Sequence, residues 1–150
     1  MEGAMSEQKT FEESLNSCLF FTVKKLDRVL NQYADQAFRQ TGLSPTYGFI
    51  LLALLEWDGL QQKEISRMLH LAPSTLTRFV EKLQIKGYVR VESEGRTNFV
   101  YLTDEGRALS GVVQDSWDQL HDSYFAILGE DHGDQLALEL SQAADVLKEE

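Results

Sequence analysis

Apolar side chains recur three, four or seven residues apart at Leu15, Leu19, Leu26, Leu30, Tyr33 and Ala37. That is the spacing of one face of a helix. No proline or glycine interrupts it between Phe11 and Arg39, so the pattern predicts a single long helix over 11–39. Roughly 28 residues at 1.5 Å each reach ~42 Å, whereas a globule of this size has a radius of gyration of only ~15 Å. Such a helix outruns its own core. Gly42 suits a left-handed stop after it, and Ser44 followed by Pro45 marks the cap and first turn of a second helix through about Trp57.

The far end of the chain repeats the pattern. Thr103-Asp104-Glu105 is a cap candidate with acids in the first turn, and the helix it opens carries an apolar face through Leu109, Val112, Val113, Leu120, Tyr124 and Leu128 until Gly129 ends it. A last helix from Asp131 to Lys148 sets Leu136, Leu140, Ala143, Ala144 and Leu147 on one side. The terminal helices together display more apolar surface than one small core covers, which predicts that 11–40 and 104–150 are dimerisation helices in a symmetric homodimer.

Between them the spacing changes. Gln62 to Leu69 forms a short helix with Ile65, Met68 and Leu69 inward, His70-Leu71-Ala72 a turn, and Pro73 the first position of a further helix. In that helix Leu76, Phe79, Val80 and Leu83 share the core face, leaving Ser74, Thr75, Thr77, Arg78, Glu81 and Lys82 outward. Gly87 stops it, and Tyr88–Glu92 and Thr97–Leu102 alternate as two strands around Ser93-Glu94-Gly95-Arg96. The predicted fold is mainly α with a small β-hairpin: a winged helix-turn-helix over 43–103, flanked by the terminal helices in one domain, 1–150.

Charge changes the picture of this middle stretch. The chain of 150 residues carries a net charge of −10, which repels polyanions at long range. From Leu60 to Val100, however, seven basic residues (Lys63, Arg67, Arg78, Lys82, Lys86, Arg90 and Arg96) stand against four glutamates. A basic island in an acidic body fits a protein that meets nucleic acid on one face only. Short hydroxyl side chains at the start of the second helix permit close approach to a groove, and Arg78 one turn later reaches a guanine edge or a phosphate. Arg96, near the hairpin tip, is placed for the minor groove, with Glu94 to hold its side chain.

Other chemistries find little support. The single cysteine, Cys18, forms no internal disulfide, and His70, His121 and His132 are too scattered for a metal site. No Ser-His-acid spacing suggests catalysis, and nothing calls for a cofactor. The longest apolar runs fall well below the ~20 residues of a membrane span, and the first ten residues lack a secretion signal. The expectation is a cytoplasmic protein with no enzyme activity and no membrane partner.

The runs Leu43-Ser44-Pro45-Thr46-Tyr47-Gly48-Phe49, Lys63-Glu64-Ile65-Ser66-Arg67-Met68-Leu69, Pro73-Ser74-Thr75-Leu76-Thr77-Arg78-Phe79-Val80-Glu81-Lys82-Leu83, Lys86-Gly87-Tyr88-Val89 and Leu102-Thr103-Asp104-Glu105-Gly106, in this order, resemble the MarR (multiple antibiotic resistance regulator) family. The resemblance implies a homodimeric winged-helix transcriptional regulator, commonly a repressor, whose affinity for double-stranded DNA responds to a small-molecule effector or to oxidation. It implies that Ser74, Thr75, Thr77 and Arg78 meet the major groove and Arg96 the minor groove. Lys63, Lys82, Lys86 and Arg90 are candidates for phosphate contacts, and the operator is expected to be a pseudo-palindrome with half-sites ~10 bp apart.

Three departures stand out: His70 where relatives often place glycine, a shorter wing arm from Gly87 to Glu94, and a glutamate rather than an aspartate paired with Arg96. One branch of the family senses hydroperoxides through a lone cysteine in the first helix. Cys18 falls short of that position, on another side of a continuous helix, so a half-buried structural role stands beside the redox one. Phe20, Phe21 and Tyr47 are candidates for an effector pocket, against the plainer reading as core. A rival from another class is a winged-helix protein-interaction module without DNA binding.

Overall fold

In the computed structural model, which describes residues 10–148, the helix expected over 11–39 is divided. Helix α1 covers 10–16 and α2 covers Leu19–Phe38, with Ser17 and Cys18 in neither. The Ser14 hydroxyl donates to the Thr10 carbonyl at 3.0 Å and the Ser17 hydroxyl to that of Glu13 at 3.1 Å. Such back-bonding competes with the helical ladder, and the Cys18 N–H turns to Leu15 O at 3.0 Å, closing the last turn tightly. The segment read as lacking a secretion signal lies almost wholly outside the described residues.

One compact unit ends at Ala34 and the other begins at Asp35. The second unit opens with the end of α2, a 3₁₀ turn at Arg39–Thr41, and Gly42 in the left-handed region at φ 72°. Helix α3, Pro45–Glu56, is apolar on nearly every side and accordingly central, with Ile50, Leu51 and Leu54 fully buried. It can sit against α2 and the later helix that carries Val113 because Gly48 has no side chain: a Cβ there would lie 2.6 Å from Phe38 Cε1 and 3.2 Å from Val113 Cγ1.

Strand β1 (Leu60–Gln61), helices α4 (Gln62–Leu69) and α5 (Pro73–Ile85), and strands β2 (Val89–Glu94) and β3 (Thr97–Leu102) follow. The antiparallel sheet has the order β1-β3-β2, with Glu94 opposite Thr97 at the tip and Leu60 opposite Val100. The predicted hairpin is thus present, with a tighter turn and with a third strand that the pattern had not indicated. Ile65 of α4, Leu76, Val80 and Leu83 of α5, and Val89 and Val100 of the sheet are almost completely buried, each contributing about 1.5 to 3 kcal/mol. Helices α6 (Asp104–Leu128) and α7 (Glu130–Lys148) complete the chain, turning at Gly129.

Apolar side chains remain uncovered. Leu19, Phe20, Val23 and Val29 of α2 are exposed, and so are Ile127 and Leu128 of α6 and Leu138, Val146 and Leu147 of α7. No helix among the described residues is long and apolar enough to cross a membrane.

His70 ends α4 at φ 54°, ψ 43° and is the one non-glycine residue with positive φ among those described. Its N–H donates to Arg67 O at 3.3 Å and that of Leu71 to Ser66 O at 3.0 Å, the paired bonds of a left-handed helix stop. An L side chain pays roughly 1 to 2 kcal/mol for this conformation, against roughly 0.5 to 1 kcal/mol of extra chain entropy for glycine. His70→Gly is therefore expected to stabilise the fold by about 0.5 to 1 kcal/mol, read as a raised urea midpoint. A lowered midpoint would show that the imidazole contributes more than its backbone conformation costs.

Candidate nucleic-acid interface

The outward face of α5 is set by what its inward face buries. With Leu76, Val80 and Leu83 in the core, Ser74, Thr77, Arg78, Glu81 and Lys82 are exposed and Thr75 is half-buried. Phe79 fills the flank instead, its ring 4.5 Å from that of Tyr47 on α3. The Thr77 hydroxyl donates to Pro73 O at 2.9 Å and lies 3.4 Å from Gln62 Oε1, tying the first turns of α4 and α5 together. Gln62 is thus a positioning residue that helical spacing did not single out.

The base of the wing is fixed to both flanking helices. Past Ile85 the chain turns at Gly87, φ 83°, with Tyr88 N–H on Leu83 O at 3.0 Å. Thr103 caps α6 by accepting from Gly106 N–H at 3.0 Å, and its hydroxyl donates to Gly87 O at 2.6 Å. Asp58 accepts from Leu102 N–H at 2.9 Å through one oxygen and pairs with Arg107 at 2.6 Å through the other. Helix α5, the wing and α6 therefore hold one another through directed hydrogen bonds, which fixes where the wing tip stands relative to α5.

The wing itself corrects one expectation. Arg96 is exposed beside the tip, but Glu94 does not hold it; the wing's ion pair joins Arg90 and Glu92. These two residues are two apart on one strand and so share a face. Register places Arg90 opposite Tyr101, and its guanidinium lies 4.4 Å from that ring. Arg90 is thus engaged within the sheet, whereas Arg78, Lys82, Lys86 and Arg96 carry no ion pair among the described residues.

Lys63 and Thr77 line one cleft with Arg96, and Arg67, counted in the basic island but assigned no role there, joins them. Cys18, Phe20, Phe21 and Tyr47 are not among the residues that line this cleft. Cys18 is exposed, not half-buried, because it sits at the break after α1, where the periodicity of a continuous helix no longer dictates its direction. Phe20, under the Lys24 ammonium at 5.6 Å, is exposed and Phe21 half-buried; both belong to the first unit, Tyr47 to the second.

Trp117 and His121 continue an aromatic series from Phe38 through Phe49 to Tyr124 and Phe125. Burial, and secondarily the Asp134 carboxylate, push the Tyr124 phenol above its ordinary value, so it remains neutral. The series packs the end of α2 and α3 against α6 and runs on along α6 itself.

Residues 43–94 match the model of the MarR family. The HTH-type transcriptional regulator TtmR of Methylorubrum extorquens is 32% identical over 104 residues, 67% of this chain and 53% of that protein. The chain thus spans about half the length of that relative. Among solved structures, the PcaV transcriptional regulator of Streptomyces coelicolor in complex with its natural ligand superposes with a TM-score of 0.80 at 21% identity, covering 89% of this chain and 96% of that one. The transcriptional regulator MOSR of M. tuberculosis in complex with DNA gives 0.73 at 26% identity, covering 87% and 98%.

Proposed function

The chain belongs to the MarR family, and from that membership we propose that it is a homodimeric, sequence-specific DNA-binding regulator, a repressor of its targets, modulated by a small-molecule effector. The observation that carries the reading is the outward face of α5: hydroxyls at its start, of which Ser74 and Thr77 are exposed and Thr75 half-buried, with exposed Arg78 and Lys82 behind, neither in an ion pair among the described residues, while the body of the chain is acidic. A protein-interaction module would favour apolar or aromatic anchors there. Ser74, Thr75, Thr77 and Arg78 read base edges in the major groove, Arg96 enters the minor groove, and Lys63, Lys82 and Lys86 neutralise phosphates. Arg90 can share in this only by giving up Glu92, so its contribution is smaller.

The dimer is supported by the uncovered apolar side chains of α2, α6 and α7. Two copies of α5 related by a two-fold axis would meet successive major grooves, hence a pseudo-palindromic site. An effector acts only through its differential affinity for the DNA-competent and incompetent arrangements. In this role the chain performs no catalysis.

Lys82 supplies a test that separates phosphate from base contacts. Lys82→Ala is expected to weaken binding evenly across sequences and to lower the log-log salt slope by about one, measured by fluorescence anisotropy of a labelled duplex. A sequence-dependent loss with an unchanged slope would move Lys82 to base recognition.

A further inference from the structure

Helix α5 carries one acid, Glu81, and it stands on the outward face. Ser74, Arg78 and Glu81 follow one another at four and three residues, so their side chains form a single ridge opposite the buried Leu76, Val80 and Leu83, and all three are exposed. Ile85, four residues further on, continues the ridge to the end of the helix and is exposed as well. A groove that receives α5 meets this ridge first, and a carboxylate stands within it.

Nothing within the fold accounts for that carboxylate. Glu81 is in no ion pair among the described residues, although Arg78 is only three residues back. The positions four residues away on either side, where a lysine or arginine would stabilise a glutamate on a solvated helix, hold Thr77 and Ile85. Glu81 also lies in the C-terminal half of α5, where a negative charge gains nothing from the helix dipole. Toward DNA the charge is unfavourable again, because every phosphate repels it. An ionised carboxylate only accepts hydrogen bonds, so the gain open to it on that surface is a donor on a base.

We propose, resting on the DNA reading of α5 given above, that Glu81 is a specificity-determining residue whose carboxylate accepts a hydrogen bond from the N4 amino group of a cytosine in the major groove. The groove offers two such donors, cytosine N4 and adenine N6. Beside N6, adenine presents the acceptor N7, which repels the second carboxylate oxygen, whereas cytosine presents only a C–H there. Thymine O4 and guanine O6 and N7 are acceptors and are rejected. With its Cβ ~5–6 Å from that of Arg78, Glu81 reaches the same base pair or the next. A guanine under Arg78 and a cytosine under Glu81 therefore fit side by side, and Arg78 offsets the repulsion between the carboxylate and the phosphates.

The test compares the base preferences of the unmodified full chain, Glu81→Gln and Glu81→Ala, each selecting from one pool of random duplexes. Both changes fall on an exposed side chain and should leave the fold intact. The unmodified chain is expected to select cytosine at one position of each half-site. Glu81→Gln keeps the shape but brings an amide that bonds adenine N6 and N7 together, so adenine should replace cytosine there by about fivefold or more, with the other positions unmoved. Glu81→Ala should lose the preference at that position alone. Replacing the selected cytosine by 2-pyrimidinone, which lacks only the amino group, should weaken the unmodified chain by about fivefold or more and leave the affinity of Glu81→Ala unmoved. A base profile unchanged in Glu81→Gln, or an even gain in affinity across all sequences in both variants, would overturn the assignment and leave Glu81 a mere repeller of phosphate. Those results would leave the DNA reading standing. Selection of nothing by the unmodified chain would overturn the DNA reading and the role of Glu81 with it.

Discussion

Alanine at Gly106 is expected to destabilise the protein by about 3 kcal/mol or more, the largest effect of any single methyl group here. A Cβ at this position would fall on the carbonyl oxygen of Tyr88, and Leu102 Cδ2 lies only 3.2 Å away. The oxygen belongs to backbone and is held from the other side, since Tyr88 O accepts from Thr103 N–H at 3.1 Å. Relief requires the first turn of α6 to move off the wing base, which also breaks the Thr103 cap on Gly106 N–H and its bond to Gly87 O. Gly111 on the same helix is the control, because a Cβ there meets nothing within 4 Å. Gly111→Ala should be neutral or stabilising by up to ~1 kcal/mol. Urea denaturation of the two variants checks the contrast, and equal midpoints would contradict the packing described.

Arg78→Ala is expected to cost about 1 to 3 kcal/mol of specific binding, roughly 5- to 150-fold in affinity, and to relax selectivity at the base pair it reads. The side chain is exposed, in no ion pair among the described residues, and one turn behind the hydroxyl-bearing start of α5. Its loss should leave the fold intact. Operator affinity unchanged in a normally folded variant would remove Arg78 from the contact set.

How much of this was legible in the chain follows from how local each cause is. Pro45 and Pro73 at first helical positions, Gly42 and Gly87 at left-handed stops, and Thr103 as a cap act within a turn, and each element boundary they predict is found within one or two residues. The outward set of α5 was readable because Leu76, Val80 and Leu83 leave it no other face.

What escaped depends on partners remote in sequence or on competition too fine for periodicity. Strand β1 is two residues that exist as a strand only because Phe99 and Val100 pair with them. The break after α1 turns on serine hydroxyls bonding their own backbone, while the apolar spacing runs through it undisturbed. The Arg90–Glu92 pair was available from the period of two along β2 but was obscured by the nearness of Glu94 to Arg96 in sequence. Arg67 and Lys148 line one cleft only because the fold sets α4 and α7 upon it, and no pattern connects residues so far apart.

Selection of random duplexes with the purified protein, sequencing of the survivors and binding of the winner repeated from 50 to 200 mM salt decides whether the outward face of α5 and the wing read DNA. The expected winner is a pseudo-palindrome with half-sites ~10 bp apart, bound with an affinity that falls by roughly 10³-fold or more over that range if six or more phosphates are neutralised. No enrichment at the lowest salt, or a winner whose affinity is indifferent to salt, would contradict that reading.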